Sequence, residues 1–517
     1  MNMSGAHQGS GPSVSARRAY ETVTYWARVT SEAKALVSGD HVISYGQLYT
    51  LMQQTARRLE QLGLRPGDRI MLVAENSYAV PVLMLGAQYM DAWPCIVNGR
   101  ISAREMAALQ GVVEPRLVVF VSCESSGASD FAEALAATGQ DFGDVGNLDV
   151  AVLEATPEPV HESAAEQTGL IIFTSGTTGL PKAARLSHAA LLDVGATLAQ
   201  VRKVRHGGQY DGSGPLSHVM GLCTLLSALH GGASLAFSRR VDIPELVKRI
   251  ASGRTTHLSF VPTLYTRLVE YIRVNGVDLS QAKLEYISCG GAPLDPLLKQ
   301  EVERLFRVRL VNGYGMTECF PITRTTADRD YAHDSIGYAE PGAAIRIVRD
   351  DGSDAGPGEV GELWARAVGQ MQGYYRNPDA TAEALRDGDW VATGDLATRA
   401  TDGEIRIAGR KKEMIIRSGF NVYPAEVENV LNAHPEVLFS AVVGNNLGNG
   451  DEEVVAFVQL VSGSNLQASD LTPHLRAALA PYKVPSQIFV RSQLPMGSTG
   501  KILKRQLVEE LAQTAEP

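Results

Sequence analysis

A chain of 517 residues exceeds what one hydrophobic core usually supports, so two or more domains are expected. Hydrophobic residues make up 44% and charged residues 20%, an ordinary balance for a globular enzyme. With 47 Lys plus Arg against 57 Asp plus Glu the net charge is −10, which argues against a general nucleic-acid binder. No apolar run approaches the ~20 residues of a membrane helix. The Ser- and Gly-rich start lacks an apolar signal core, so residues 1–18 are expected to fray and the protein to be cytoplasmic. Cys95, Cys123, Cys223, Cys289 and Cys319 form no C-x-x-C pair. Free thiols fit them better than a zinc site.

In chain order, Ser44-Tyr45-Gly46-Gln47 has the spacing of a capping box, and Leu48, Leu51, Met52, Ala56 and Leu59 recur at helical spacing behind it. Strands are predicted at 70–74, 94–97 and 117–121, with a helix over 78–90, an alternation that implies a parallel, helix-covered sheet. Leu170–Phe173 reads as a short buried strand. The alternation returns with strands at 235–237, 257–261 and 284–288 and helices at 243–252 and 264–275. From about residue 335 the texture changes to short β segments at 344–348, 362–365 and 404–407. The end reads as a compact α+β unit with helices at 425–433, 471–479 and 501–512 and strands at 438–443, 454–460 and 488–490.

The predicted strand before residue 174 opens into Thr174-Ser175-Gly176-Thr177-Thr178-Gly179-Leu180-Pro181-Lys182. Glycines let a backbone fold tightly round a ligand, and successive N–H groups and hydroxyls give a ring of donors suited to a triphosphate. Pro181 stands where the common Gly-x-x-x-x-Gly-Lys loop needs its second glycine, so this is a different design. Taken alone, the stretch also reads as a plain surface loop. Further along come Tyr314-Gly315-Met316-Thr317-Glu318, Thr393-Gly394-Asp395, Gly409-Arg410-Lys411-Lys412-Glu413, Ser418-Gly419-Phe420-Asn421 and Gly497-Ser498-Thr499-Gly500-Lys501.

In this order, over roughly residues 20–510, these segments resemble the adenylate-forming superfamily of acyl-CoA synthetases, adenylation domains and luciferases, on the acid:CoA ligase branch. The resemblance implies an α/β fold: a large N-terminal domain of helix-covered sheets with a small β unit over 19–410, and a small mobile α+β C-terminal domain over 411–517. It implies that a carboxylate attacks the α-phosphate of ATP, giving acyl-AMP and pyrophosphate, and that CoA then takes the acyl group. Residues 174–182, with Lys182, would wrap the β- and γ-phosphates. Glu318 would hold Mg²⁺, a hard cation suited to oxygen ligands, and Thr317 would donate to the α-phosphate. Tyr314 and Gly315, with Gly291, Ala292 and Pro293, would border adenine, while Asp395 and Arg410 would take the ribose. Lys501 would bridge the carboxylate and α-phosphate, where charge builds up. Rotation about Lys412 would then withdraw Lys501 and bring Gly419 and Phe420 to a pantetheine tunnel. Ala183-Ala184 depart from the family pattern, in which Gly follows the lysine, so altered phosphate affinity is expected.

The acyl pocket implied by the same resemblance has His218 at the carboxylate entry. Val219, Met220, Gly221, Phe260, Val261, Gly290, Gly291, Met316 and Pro321 would line the rest. Nearly all are apolar or small, so an acid with a hydrophobic body is expected, fatty or aryl. A dicarboxylate or amino acid would need a buried counter-charge, and Leu258-Ser259-Phe260-Val261-Pro262-Thr263 offers none. Two alternatives stay open: an acyl-AMP ligase loading a carrier protein, for which no rotation-blocking insertion is evident, and a non-catalytic nucleotide-binding relative.

Overall fold

Two helices that are apolar on every side explain how the large part of the protein is layered. Ala79–Tyr89 buries every residue from Ala79 to Gln88, and Val219–Gly231 buries every residue from Gly221 to Leu229. A helix with no polar face must be covered all round, and here two sheets do the covering. The computed structural model describes residues 16–121, 125–174, 181–332, 334–417, 420–447, 451–461, 463–496 and 502–514. Among them, one sheet has eight strands and another has fourteen. One core cluster joins Ile70, Leu72, Ile96 and Ile172 of the first sheet, through the enclosed helices, to Leu36, Tyr210 and Leu235 of the second. Outside the smaller sheet lie Ala103–Val113 and Ser126–Ala134, packed on Met71, Val73 and Val118. Outside the larger sheet lie Ile243–Ala251, Pro262–Asn275 and Pro296–Phe306, packed on Leu258, Phe260 and Ile287. The result is a helix–sheet–helix–sheet–helix stack.

The predicted strands fall where expected, at Arg69–Ala74, Trp93–Asn98 and Leu117–Val121, and they pair in parallel. Tyr45–Gln61 carries the full capping box, with Ser44 and Gln47 satisfying each other's backbone N–H groups. The segments Ala344–Val348, Gly361–Arg366 and Trp390–Arg399 extend the larger sheet by antiparallel pairing, which forms the small β unit. The last part folds around the strands Val437–Asn446, Glu452–Leu460 and Gln487–Arg491, with Pro424–Asn432 and Ala468–Ala478 packed on one face and Lys504–Thr514 on the other.

Two expectations need correction. Arg18, within the segment expected to fray, pairs with Asp91 at 2.6 Å and donates to the carbonyls of His161 and Glu162. The last helix starts at Lys504 rather than 501. Two buried histidines sit in the large part. His188 accepts from the backbone N–H of Ala19, and burial, aided by Arg18, depresses its pKa to about 3. Burial likewise brings His257 to about 4.

Candidate active site

The loop 175–180, with Ser175, Gly176, Thr177, Thr178 and Gly179, lies outside the described residues, but its two stems are described. Thr168–Thr174 and Lys182–Ser187 pair antiparallel, so Thr174 and Lys182 stand directly opposite each other. Ala183 and Ala184 are fully enclosed on the second stem, one in each of two core clusters. A two-residue strand, Gly373–Tyr374, pairs beside that stem. The Lys182 ammonium lies 5.0 Å from the centre of the Tyr374 ring and 4.0 Å from Glu383. Thr174 bonds Tyr374, whose hydroxyl donates to Glu318 Oε1 at 2.6 Å. Burial, with the Glu318 charge next, pushes the Tyr374 hydroxyl far above its ordinary pKa, so it stays a donor. The sequence reading missed Tyr374, although it orients the buried Glu318 carboxylate.

Thr317 and Glu318 form the turn between Leu310–Met316 and Cys319–Arg324, where Met316 faces Cys319. This is a hairpin rather than a loop trailing a strand. Further down the same hairpin, the Tyr314 hydroxyl donates to Asp395 Oδ2 at 2.5 Å. Asp395 and Arg410 are cross-strand partners between Trp390–Arg399 and Ile405–Arg410, with Nε 3.1 Å from Oδ1. The Thr393 hydroxyl also accepts from the Asp395 N–H at 3.1 Å. Gly315 is exposed beside this cluster.

Parallel pairing sets Gly290 beside Gly313, which brings the acyl side next to the Tyr314 hairpin. Gly291 has φ +78°, and a Cβ there would meet Met220 sulfur at 3.2 Å and Val261 at 3.7 Å. Met220, Val261, Gly290 and Gly291 therefore converge, with Ala292 and Pro293 next along the loop. His218 caps the helix Val219–Gly231 from an extended conformation. The segment before it is fixed by Asn76, which donates to the carbonyls of Gly212 and Gly214 at 2.8 and 2.9 Å and accepts from the Leu216 N–H. Asn76 is a second positioning residue that the motifs did not mark.

Two expected pocket residues, Phe260 and Gly221, serve packing instead. Successive strand residues point to opposite faces, and Phe260 points into the core with Leu258, Tyr265 and Cys289. A Cβ on Gly221 would lie 2.2 Å from the Pro215 carbonyl, so this glycine serves close packing. Met316 packs with Tyr314 on the core of the small β unit. Pro321, half-buried on Cys319–Arg324, follows that hairpin. Burial raises the Cys223 thiol to about 11 and the Cys319 thiol to about 12, and raises Cys289 further, so these thiols stay protonated and unreactive.

Lys412 lies exposed in the single turn Lys411–Glu413. Lys411 reaches Asp350 at 3.0 Å and Glu362 at 3.4 Å, whereas Glu413 takes Lys504 at 2.7 Å. Phe420 is exposed and stacks 4.6 Å from Tyr482. Gly419 and Lys501 lie outside the described residues. Gly419 falls between the paired strands Ile415–Arg417 and Phe420–Val422, and the bridge Met496–Ile502 closes the segment bearing Lys501. Among the described residues no cluster of three or more His, Cys, Asp or Glu could hold a metal by itself, and no helix is long and apolar enough to cross a membrane.

A buried carboxylate thus stands beside the two stems that carry Thr174 and Lys182, and the hairpin bearing it brings Tyr314 to the Asp395–Arg410 pair. The chain belongs to the AMP-binding enzyme family, whose model matches residues 23–375, and the family's C-terminal domain matches residues 426–501. A long-chain-fatty-acid–CoA ligase of Salmonella typhimurium is 32% identical over 93% of this chain and 92% of its own. A feruloyl-CoA synthase of an Amycolatopsis species is 32% identical over 92% of this chain and 96% of its own. The solved structure of ATP-bound MatB from Rhodopseudomonas palustris superposes with a TM-score of 0.81 at 25% identity, covering 96% of this chain and 100% of its own.

Proposed function

We infer that the protein is an AMP-forming carboxylic acid:CoA ligase. A carboxylate oxygen attacks the α-phosphorus of ATP, the bond to the β-phosphate breaks and pyrophosphate leaves. The CoA sulfur, having lost its proton, then attacks the acyl carbonyl carbon and AMP departs. The observation that carries this reading is the meeting of three groups where an edge strand of the smaller sheet reaches the Tyr314–Glu318 hairpin of the larger one. They are the phosphate-side set of Thr174, Lys182, Glu318 and Tyr374, the ribose-side set of Tyr314, Asp395 and Arg410, and the apolar set around Met220 and Gly291.

In this reading Lys182 and the hydroxyls of the 174–182 hairpin hold the β- and γ-phosphates. Asp395 accepts from the ribose hydroxyls, with Arg410 beside it. Glu318 suits Mg²⁺: one oxygen is held by Tyr374, and among the described residues the other has no hydrogen-bond partner. A lone protein carboxylate is enough when phosphates and water complete the shell. Mg²⁺ bound there would neutralise charge on the departing pyrophosphate. Thr317 would donate to the α-phosphate, His218 would guard the carboxylate entry, and Lys501 would bridge carboxylate and phosphate. The hinge is assigned to Lys412 because Lys411 is tied to the large part and Glu413 to the small one. Read the same way, the division between the two parts falls at Lys412 rather than between 410 and 411. Gly419 and Phe420 would meet the pantetheine arm after rotation. We place the reaction in the cytoplasm, where ATP and CoA are available.

The acid has an apolar body, fatty or aryl, in keeping with what the two curated relatives are named for. A competition assay tests the whole reading. Purified protein, ATP, Mg²⁺ and CoA meet C2–C16 fatty acids with benzoic, phenylacetic and cinnamic acids, and mass spectrometry reads the products. Thioesters with pyrophosphate release are expected. Acyl-AMP without any thioester would replace CoA by a carrier protein, and no pyrophosphate with any acid would end the ligase reading.

A further inference from the structure

Beyond marking the hinge, Lys504 sits in a charge cluster that the assigned roles do not use. Its ammonium lies 2.7 Å from Glu413 Oε2 and 2.8 Å from Glu428 Oε1. The side chains of Lys504 and Glu428 are 23% and 14% exposed, so this is no surface pair. Removing one partner from such a cluster costs far more than it would at the surface. Glu428 also accepts from the Val442 N–H at 2.7 Å. The cluster therefore ties together the turn Lys411–Glu413, the helix Pro424–Asn432, the strand Val437–Asn446 and the helix Lys504–Thr514. Helix formation alone does not favour this place for a lysine. Lys504 is the first residue of its helix, where the free N–H groups repel a cation, and the two carboxylates offset that repulsion.

The places of these residues in the chain give the cluster a mechanical meaning. Glu413 is the first residue beyond Lys412, the proposed hinge. Lys504 comes two residues after Ile502, whose bridge to Met496 closes the segment bearing Lys501. The Leu503 N–H adds a bond to the Pro495 carbonyl at 2.8 Å. Behind Lys504, Leu507 and Leu511 seat the helix on Val443, Val455 and Phe457. One ion pair, between residues 91 apart in the chain, thus joins the hinge to the base of the lysine-bearing segment. Glu413 also marks where the two parts divide. Its Oε1 lies 3.9 Å from Arg410, on the large side of the hinge, while its Oε2 takes Lys504. Rotation about Lys412 would change the first contact and carry the second along.

Resting on the ligase reading, we propose that Lys504 is a positioning residue for adenylation. Through Glu413 it fixes the base of the Lys501 segment to the first residue past the hinge, so that the turn of the C-terminal unit brings the Lys501 charge to the α-phosphate. Without Lys504 the segment stays attached through the Met496–Ile502 bridge and the packing of the last helix, but its aim relative to the hinge is no longer set. The thioester step, for which Lys501 has been withdrawn, does not depend on that aim.

The test compares the wild type with Lys504→Met, Lys504→Arg and Glu413→Gln, using the acid of the competition panel that the wild type turns over fastest. Two half-reactions are read: acid-dependent ATP–pyrophosphate exchange, and thioester formation from supplied acyl-AMP and CoA. Lys504→Met is expected to lower kcat for exchange by roughly 10- to 100-fold, the scale of misplacing a catalytic group by ~1 Å, with KM for ATP nearly unchanged. Its thioester step should hardly change. Glu413→Gln should act in the same direction. Lys504→Arg should retain most of the exchange, because a guanidinium keeps the charge and can donate to both carboxylates. In a Lys501→Ala background, Lys504→Met should cost nothing further, since it acts through Lys501. The ratio of the two half-reactions reads aim independently of how much folded enzyme each variant yields. An unchanged ratio in Lys504→Met and Glu413→Gln, a Lys504→Arg as impaired as Lys504→Met, or a further loss in the Lys501→Ala background would overturn the proposal while leaving the ligase standing. No pyrophosphate exchange by the wild type with any acid would remove both.

Discussion

The nucleotide-facing residues and the C-terminal unit are held in place by different forces. Thr174 and Lys182, Asp395 and Arg410, and Gly290 and Gly313 are each direct partners across adjacent strands. Their separation is fixed by backbone ladders inside sheets covered on both faces, so they change position only if the sheet does. The C-terminal unit is tied on differently. Lys411 reaches the exposed Asp350 and the half-buried Glu362 on the small β unit, and Tyr423 lies over Gly409, where an added Cβ would stand 3.4 Å from its own. Exposed ion pairs contribute little. The difference teaches where the proposed rotation would cost least: at the join made by side chains rather than by strand ladders.

The sharpest way to break this comparison is to remove the charge that the moving half carries. Lys501→Ala is expected to lower acyl-AMP formation by roughly a thousandfold, about 4 kcal/mol, the scale of losing one group aimed at developing charge. Thioester formation from supplied acyl-AMP should change by only a few fold. Gly419→Leu should do the reverse, sparing ATP–pyrophosphate exchange. Equal losses in both half-reactions for either variant would mean that one fixed geometry serves both steps.

Acid should loosen the fixed half first. His188 titrates at about 3 in the folded protein, against 6.5 for an ordinary histidine. Below pH 6.5 the unfolded chain therefore binds a proton that the folded one refuses, and stability is lost as pH falls from 6.5 toward 3. By pH 4 that amounts to about 3 kcal/mol from this residue, at 1.36 kcal/mol per pH unit. His188→Gln should flatten the fall in Tm between pH 7.5 and pH 5. An unchanged slope would show that other groups, such as His257, dominate.

Tyr374→Phe probes how the fixed half orients its carboxylate. Losing a hydrogen bond to a charged group costs about 1.5–3 kcal/mol, so kcat/KM for ATP should fall roughly 10- to 100-fold. The KM for the acid should hardly move. A change confined to the acid would place Tyr374 on the other side of the site.

How much of this was legible in the sequence depends on the range of the interaction. The capping box of Ser44 and Gln47 and the strand Leu117–Val121 are local, and both stand where they were read. The alternation of strands and helices gave the layering, and the ordered motifs gave the family. Tyr374 was missed because its place comes from a two-residue strand pairing with Lys182–Ser187, nearly two hundred residues earlier in the chain. Phe260 came into the pocket with the family resemblance, whereas sheet register sets it on the core side with Cys289.

The smallest expected effect bears most directly on the loose half. If Lys411 holds the C-terminal unit in one orientation through Asp350 and Glu362, then Lys411→Gln should favour the other. Lys411 and Asp350 are exposed and the contact to Glu362 is long at 3.4 Å, so the shift should be about 1 kcal/mol, or roughly fivefold. It should speed one half-reaction and slow the other, because the two orientations serve different steps. Salt screens the same pairs, and its Debye length falls to about 3 Å at 1 M. Raising the salt should therefore move the wild type in the direction of Lys411→Gln and leave the variant nearly unchanged. A variant as salt-sensitive as the wild type would show that attachment of the C-terminal unit depends on contacts other than Lys411.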